Sequence, residues 1–568
     1  MVLTEWNYYV IMYINIDFNV KGGFLMKMTV SQAMVESLKK ENVKVVFGYP
    51  GAAICPFYDA LFEAENAGDM RHILVRHEAN GGHEASGYAR ITGRPAVCIA
   101  TSGPGAVNLI TAIATAYADS IPLICITGQV NTEQIGSDVF QEADITGSAE
   151  PFVKHSYLVK EPSDIARVFK EAFYIAGTGR PGPVLIDVPM DVQKAVIDYK
   201  YPEKCEIRSY KPTTKGNYVQ VKRVVKALEK AKKPLICIGG GVFASNAQKE
   251  INELANKMQI PVITTMMGIS AFADDDPLFC GMIGMHGVKR ANYAVNACDV
   301  LFLVGARVGD RAVRTPLALE KTTQIIHIDI DPAEIGKNIG ADIPLVGDAK
   351  MVLEQLLELS KPLDHSDWIA EIREYSAKRD YTPAPEGTIQ PREFISELSH
   401  ALPDDVVITA DVGQNQIWTC TSYEFRKGGR LLTSGGMGTM GYSVPCAIGA
   451  RLADPKREVV AICGDGAFQM SFMELATAVQ HEVDIKVVVM TNTRLGMVRE
   501  LQTNGYDDRQ TAVFLDGSPD FIKLAEAYGI KAMRAYDQKT AKEAIELLRD
   551  YKGICLVEVV VDKDMPTL

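Results

Sequence analysis

Val459-Val460-Ala461-Ile462-Cys463-Gly464-Asp465-Gly466 is an apolar, β-branched run that stops at Gly-Asp-Gly, and Ile485-Lys486-Val487-Val488-Val489-Met490-Thr491-Asn492 is a second run that stops at Asn. Between them Phe468, Met473, Leu475 and Ala476 read as one helix. Strand, helix and strand predict a parallel pair joined by a crossover, so both loops open on one sheet edge, where ligands of such folds bind. Asn492 stands 26 positions after Gly466, room for a helix and a returning strand. The Asp465 carboxylate, the Asn492 amide oxygen and the Arg494 backbone carbonyl would give hard oxygen ligands suited to Mg²⁺, two phosphate oxygens and a water completing the octahedron. Gly464 and Gly466 allow backbone N–H groups to approach a phosphate, and the N-terminus of the following helix favours an anion. Alone, Gly-Asp-Gly reads as readily as a turn with Asp capping a helix; the place of Asn492 argues for a cation and a diphosphate.

The same alternation of short strands and helical patterns fills the chain and predicts parallel sheets covered on both faces. A first unit holds Val43 to Phe47, His72 to Val75, Ala96 to Ile99, Leu123 to Ile126 and Val184 to Val188. Its strands end in Gly48-Tyr49-Pro50-Gly51, Arg76-His77-Glu78, Thr101-Ser102-Gly103-Pro104-Gly105 and Thr127-Gly128-Gln129, which should converge on one crevice. A second unit ends strands at Gly239-Gly240-Gly241, Gly305-Ala306-Arg307 and Asp329, and the third contains the opening motif. The fold class expected is α/β, three Rossmann-like doubly wound parallel-sheet domains. They span residues 28–192, 218–361 and 392–568, with linkers at 193–217 and 362–391 and an N-terminal appendage at 1–27. The first and third should share one architecture.

With 47% hydrophobic and 23% charged residues the composition is that of a soluble globular protein. A net charge of −12 disfavours nucleic acid and anionic membrane as partners. The 11 cysteines stand singly in apolar strands, with no CxxC pair, which predicts buried thiols in a cytoplasmic protein and no zinc site. Residues 1–27 lack a basic start and a small-residue cleavage site, so no signal peptide is expected, and no run of about 18 uncharged apolar residues predicts a membrane span.

Gly464-Asp465-Gly466 with Asn492 resembles the thiamine diphosphate-binding motif. Phe47-Gly48-Tyr49-Pro50-Gly51, Arg76-His77-Glu78, Thr101 to Ala106, Gly136 to Glu142, Gly179 to Val184 and Gly435 to Gly441 extend the resemblance, closest to the large catalytic subunits of acetolactate (acetohydroxyacid) synthase, from about residue 28 onward. The resemblance implies that the three domains are pyrimidine-binding, central FAD-type and diphosphate-binding. It implies that Glu78 hydrogen-bonds N1′ of the aminopyrimidine and that Met440 wedges between the cofactor rings. Cofactor contacts are implied at Gly51, Gln414, Asn415 and Gly438, although His is usual where Asn415 stands. For a structural FAD it implies Gly239, Gly240, Arg307, Asp329 and Asp348. The implied reaction joins the two-carbon unit left by decarboxylation of pyruvate to a second 2-oxo acid, giving 2-acetolactate or 2-aceto-2-hydroxybutyrate.

For that second substrate the resemblance implies Arg311 as carboxylate partner, with Phe140, Gln141, Met285 and Leu501 around it. Two residues depart from the pattern: Leu501 stands where Trp is usual, and Met190 where Lys is usual. They leave the acceptor open, and other decarboxylase, oxidase or acetyltransferase chemistry on the same cofactor is the alternative, a non-catalytic binding subunit the third. The chain stops soon after Asp562, short of the family's usual tail, which bears on closure over the site. A homodimer or tetramer is implied, because active sites of the family form between two subunits, and a small regulatory subunit is a further implied partner.

Overall fold

The computed structural model describes residues 26–377 and 381–568. Three six-stranded sheets, each wholly parallel, carry the chain. In the first the spatial order is Arg71–Leu74, Val45–Gly48, Ala96–Ala100, Leu123–Gln129, Val184–Pro189, His155–Leu158. In the third it is Arg430–Thr433, Val407–Ala410, Val459–Gly464, Lys486–Thr491, Cys555–Val560, Lys531–Ala535. Numbered along the chain, both run 2-1-3-4-6-5, the duplicated architecture expected from the sequence. The middle sheet runs Phe279–Met282, Val262–Thr264, Pro234–Ile238, Val300–Val304, Gln324–Asp329, Ile343–Val346. That is 3-2-1-4-5-6, the order of dinucleotide-binding sheets.

Helices cover both faces of each sheet, so central strands are apolar without alternation: Leu123–Gln129 is buried at every position. The strand cysteines Cys98, Cys125, Cys237 and Cys463 are free and buried, filling core volume as small hydrophobes.

The segment boundaries are more structured than their composition implies. Residues 1–25, most of the segment set apart as an appendage, lie outside the described residues. Met26 and Lys27 belong to a strand, Met26–Thr29, that pairs antiparallel with Val196–Tyr199 inside the stretch read as the first linker. Thr29 then closes a capping box on the helix Val30–Lys40. The stretch read as the second linker carries the helix Ser366–Arg373, whose Trp368 and Ile372 enter the middle core and whose Trp368 indole donates to the Pro234 carbonyl at 3.0 Å.

The first and third domains meet within the chain through the helices Glu78–Thr92 and Ser443–Ala453. They cross at glycines: a Cβ on Gly87 would overlap the Cys446 carbonyl, and one on Gly449 would overlap the Glu84 carbonyl. This crossing fixes the start of the Glu78 helix against the third domain.

Candidate active site

In the third sheet the chain order reverses between Val407–Ala410 and Val459–Gly464. Ligands of open parallel sheets bind beyond the strand ends at such a point. The loops leaving those two strands, with the loop after Lys486–Thr491, line a cleft of about 200 Å³. Gly413, Gln414, Asn415, Met440, Gly464, Asp465, Gly466, Asn492 and Arg494 face it, as does Leu501. The structure therefore brings together all but one of the residues that the sequence assigned to the cation and diphosphate; Gly438 stands at φ 69 on the loop carrying Met440.

Asp465 is 2% exposed. One of its oxygens accepts its neighbour Gly466 N–H at 2.9 Å and the other the Thr493 N–H at 2.7 Å. Burial pushes its carboxyl up to about 6, against the pull of these N–H donors. The Asn492 Oδ1 accepts the Arg494 N–H at 3.1 Å, and its Nδ2 donates to the Gln414 Oε1 at 2.9 Å. Asp411, buried at the end of the neighbouring strand, accepts N–H groups of Val412, Gly441 and Ser443 and the Ser443 hydroxyl, anchoring the Met440 loop; burial raises its pKa.

One expectation is corrected. The helix after Gly-Asp-Gly is a single turn, Asp465–Phe468, followed by the 3₁₀ segment Phe472–Glu474 and the helix Leu475–Gln480. One turn carries little macrodipole, so a helix terminus is not the feature this cleft offers to an anion. The break turns Glu474 inward.

Glu474 is a residue that sequence reasoning missed. Fully buried, it accepts the backbone N–H groups of Arg76 and His77 at 3.1 Å and the Asn80 side-chain amide at 3.0 Å. It thus clamps the turn that delivers Glu78. Its signal was a lone acid among Phe472, Met473 and Leu475. Glu84 is buried nearby, its pKa raised well above the usual carboxylate range by burial and by Glu474.

Glu78 is half-buried at the first position of its helix; the Asn108 amide donates to its Oε2 at 2.9 Å, and Gly105 leaves room for its Oε1. Gly51 packs on Thr101 so closely that a Cβ would overlap that side chain. Gln141, at φ 59, lays its backbone on Gly103, so the Phe140-Gln141 turn borders the same crevice. Glu78 does not line the cleft of its own chain's third domain.

Comparison with known proteins follows this division. Residues 28–148 match the thiamine pyrophosphate enzyme N-terminal TPP-binding domain, 221–356 the central domain and 411–559 the C-terminal TPP-binding domain. The chain is 45% identical over 550 residues to the probable acetolactate synthase large subunit of Methanocaldococcus jannaschii, covering 94% of this chain and 92% of that protein. It is 44% identical to the acetolactate synthase of Arthrospira platensis, covering 95% of each. To the acetolactate synthase isozyme 3 large subunit of Escherichia coli it is 42% identical, covering 94% of each. The chain belongs to the acetolactate synthase large-subunit family.

Of the remaining expected residues, Leu501 lines the cleft and the others do not. In the middle domain Gly239, Gly241 and Gly305 pack one strand-end loop on another, the Gly241 N–H donating to the Gly305 carbonyl at 2.9 Å, at the point where that sheet reverses. Gly240 faces Met267. The Arg307 guanidinium donates to the Ala118 carbonyl of the first domain at 2.7 Å. Asp329, pushed up to about 6 by burial, accepts the Asp331 N–H at 2.9 Å, and Asp348 caps the helix Ala349–Leu359 through the Met351 N–H at 3.1 Å. Arg311 pairs with Asp310 at 3.5 Å and touches the Met285 sulfur at 3.7 Å. Phe140 is 87% exposed and Leu501 63% exposed. Met190 is half-buried at the start of the helix Met190–Lys194.

Proposed function

We propose that this chain is the catalytic subunit of an acetolactate synthase: it decarboxylates pyruvate and joins the remaining two-carbon unit to the keto carbon of a second 2-oxo acid, in branched-chain amino acid biosynthesis. The observation that carries the reading is the buried Asp465 facing Asn492 across the switch-point cleft, beside Met440, in a chain of this family.

The residues fit thiamine diphosphate held through Mg²⁺. One carboxylate, one amide oxygen and the Arg494 carbonyl form a hard, incomplete donor set of the kind that binds Mg²⁺ together with phosphate oxygens. Burial that raises the Asp465 pKa is relieved by a divalent cation. When bound, the cofactor supplies a stabilised carbanion at C2 of its thiazolium ring. Glu78 would exchange a proton with the aminopyrimidine N1′, Met440 would support the rings, and Gln414, Asn415, Gly438, Gly464 and Gly466 would surround the diphosphate. The Glu474 clamp keeps Glu78 in register. Gly51 would border the pyrimidine.

FAD is proposed as a structural cofactor of the middle domain, supported by its 3-2-1-4-5-6 sheet and by the loops Gly239 to Gly241 and Gly305 to Arg307 flanking the reversal. Arg307, Asp329 and Asp348 would meet the nucleotide. A homodimer or tetramer is part of the same reading, supported by Glu78 not lining its own chain's cleft, so that it would serve a partner's. A regulatory small subunit is a further proposed partner, in keeping with relatives named as large subunits. Among the described residues no helix is long and apolar enough to cross a membrane, and a cytoplasmic location is proposed on the buried free thiols.

Arg311, with Phe140, Gln141, Met285 and Leu501, is proposed to receive the acceptor. A leucine at 501 offers no flat aromatic wall for a larger acyl chain, so 2-oxobutyrate should be favoured over pyruvate by less than about tenfold, the range that one or two methylenes give in an apolar pocket. Competition between the two acids at equal concentration, read as the ratio of the two products, tests this; a strong excess of 2-aceto-2-hydroxybutyrate would contradict it.

A further inference from the structure

Asn492 can serve a cation only if its oxygen faces the site. An amide is nearly symmetric in shape, so something must choose between its two orientations. The Asn492 Nδ2 donates to the Gln414 Oε1 at 2.9 Å while the Oδ1 accepts the Arg494 N–H at 3.1 Å. Turning the amide over would set oxygen against oxygen at Gln414 and donor against donor at Arg494.

Gln414 has the same ambiguity, and it is resolved one step further out. Its Nε2 donates to the Glu500 Oε1 at 3.1 Å and to the Met565 carbonyl at 2.9 Å, two acceptors that cannot donate in return. Glu500 is itself held by the Thr567 N–H and hydroxyl. The segment around Thr567 is anchored by Arg392, which donates to the Thr567 carbonyl, and by the Trp418 indole, which donates to the Pro566 carbonyl at 3.1 Å. Gly496 leaves the space that the Gln414 Oε1 occupies: a Cβ there would overlap it. Gln414, Asn492, Met565 and Thr567 are all buried, so none of these choices is left to water.

We propose that Glu500 and the Met565 carbonyl, acting through Gln414, orient the Asn492 amide so that its oxygen serves the cation; Glu500 is a positioning residue for metal binding. The relay rests on the thiamine diphosphate and Mg²⁺ site proposed above. It also ties cation affinity to the helix Gly496–Gly505, which carries Leu501, and to the strap Met565 to Thr567 that lies against it.

Trp418 lines the cleft and reports on it. Apoprotein is titrated with Mg²⁺ at fixed thiamine diphosphate, following tryptophan fluorescence, with a thermal melt of each apoprotein. Glu500→Ala should raise the half-saturating Mg²⁺ on the order of tenfold, the size expected when one buried hydrogen bond of the chain is lost. Glu500→Gln, which keeps an acceptor for Gln414, should stay within about threefold of wild type. In an Asn492→Asp background, where both oxygens are alike and orientation no longer matters, Glu500→Ala should cost less than about twofold. Gln414→Met must weaken Mg²⁺ binding in the same direction, which keeps the test open if Glu500→Ala fails to fold. Unchanged Mg²⁺ dependence in Glu500→Ala or Gln414→Met, or an equal loss with Asn492 and with Asp at 492, would overturn the relay. A wild-type protein that shows no Mg²⁺-dependent cofactor binding would overturn the site beneath it as well.

Discussion

Asp465, proposed as a cation ligand, is a buried carboxylate. Its folded pKa, about 6, lies above the roughly 3.9 of an exposed aspartate. Without a cation its neutral form is therefore favoured below about pH 6, and the stability it contributes below about pH 4 is lost as pH rises through about 6. A cation binds the ionised form and acts in the opposite sense. Thiamine diphosphate with Mg²⁺ should raise the melting temperature more at about pH 7.5 than at about pH 5, and half-saturating Mg²⁺ should climb about tenfold per pH unit below about 6. Thermal-shift titrations at the two pH values check this; equal shifts at both would contradict it, and Asp465→Asn should abolish the difference.

Among the elements, the crossing of Glu78–Thr92 on Ser443–Ala453 carries the greatest demand on sequence. Gly449→Ala forces a methyl into the Glu84 carbonyl and should destabilise the protein by about 3 kcal/mol or more, since backbone cannot yield as a flexible side chain would. Urea denaturation of the variant measures it, and a change below about 0.5 kcal/mol would show that the helices do not meet as described. The strands and the Asp465 to Asn492 cleft were legible in the sequence because short apolar runs ending in glycine or a polar residue carry their own period and stop. Glu474 and Glu500 were not legible. Each acts on a residue remote in sequence, Glu474 on the Arg76-His77 turn and Glu500 on Gln414, and their local patterns fit an exposed helix equally well. The helix Ser366–Arg373 was hidden in the same way, its two buried positions lying within a charged stretch.

For the whole molecule, Glu78 does not line its own chain's cleft, and the proposed dimer would make catalysis a property of two subunits. Glu78→Gln and Asp465→Asn should each be nearly inactive, by about 10²-fold or more for the former. Subunits of the two variants, mixed and allowed to exchange, should regain up to about a quarter of wild-type activity, because half of the random dimers would hold one intact site of two. No recovery on mixing would place both residues in one chain's site. The acceptor choice proposed for Arg311 and Leu501 refines the reaction, while the union of two pyruvates is its centre. The most direct test supplies purified protein, Mg²⁺ and thiamine diphosphate with pyruvate alone and measures every product. The expected products are 2-acetolactate and CO₂ in equal amounts, at half the pyruvate consumed and abolished by removing Mg²⁺. Acetaldehyde, acetyl phosphate or peroxide as the main product, or no turnover with cofactor bound, would contradict it.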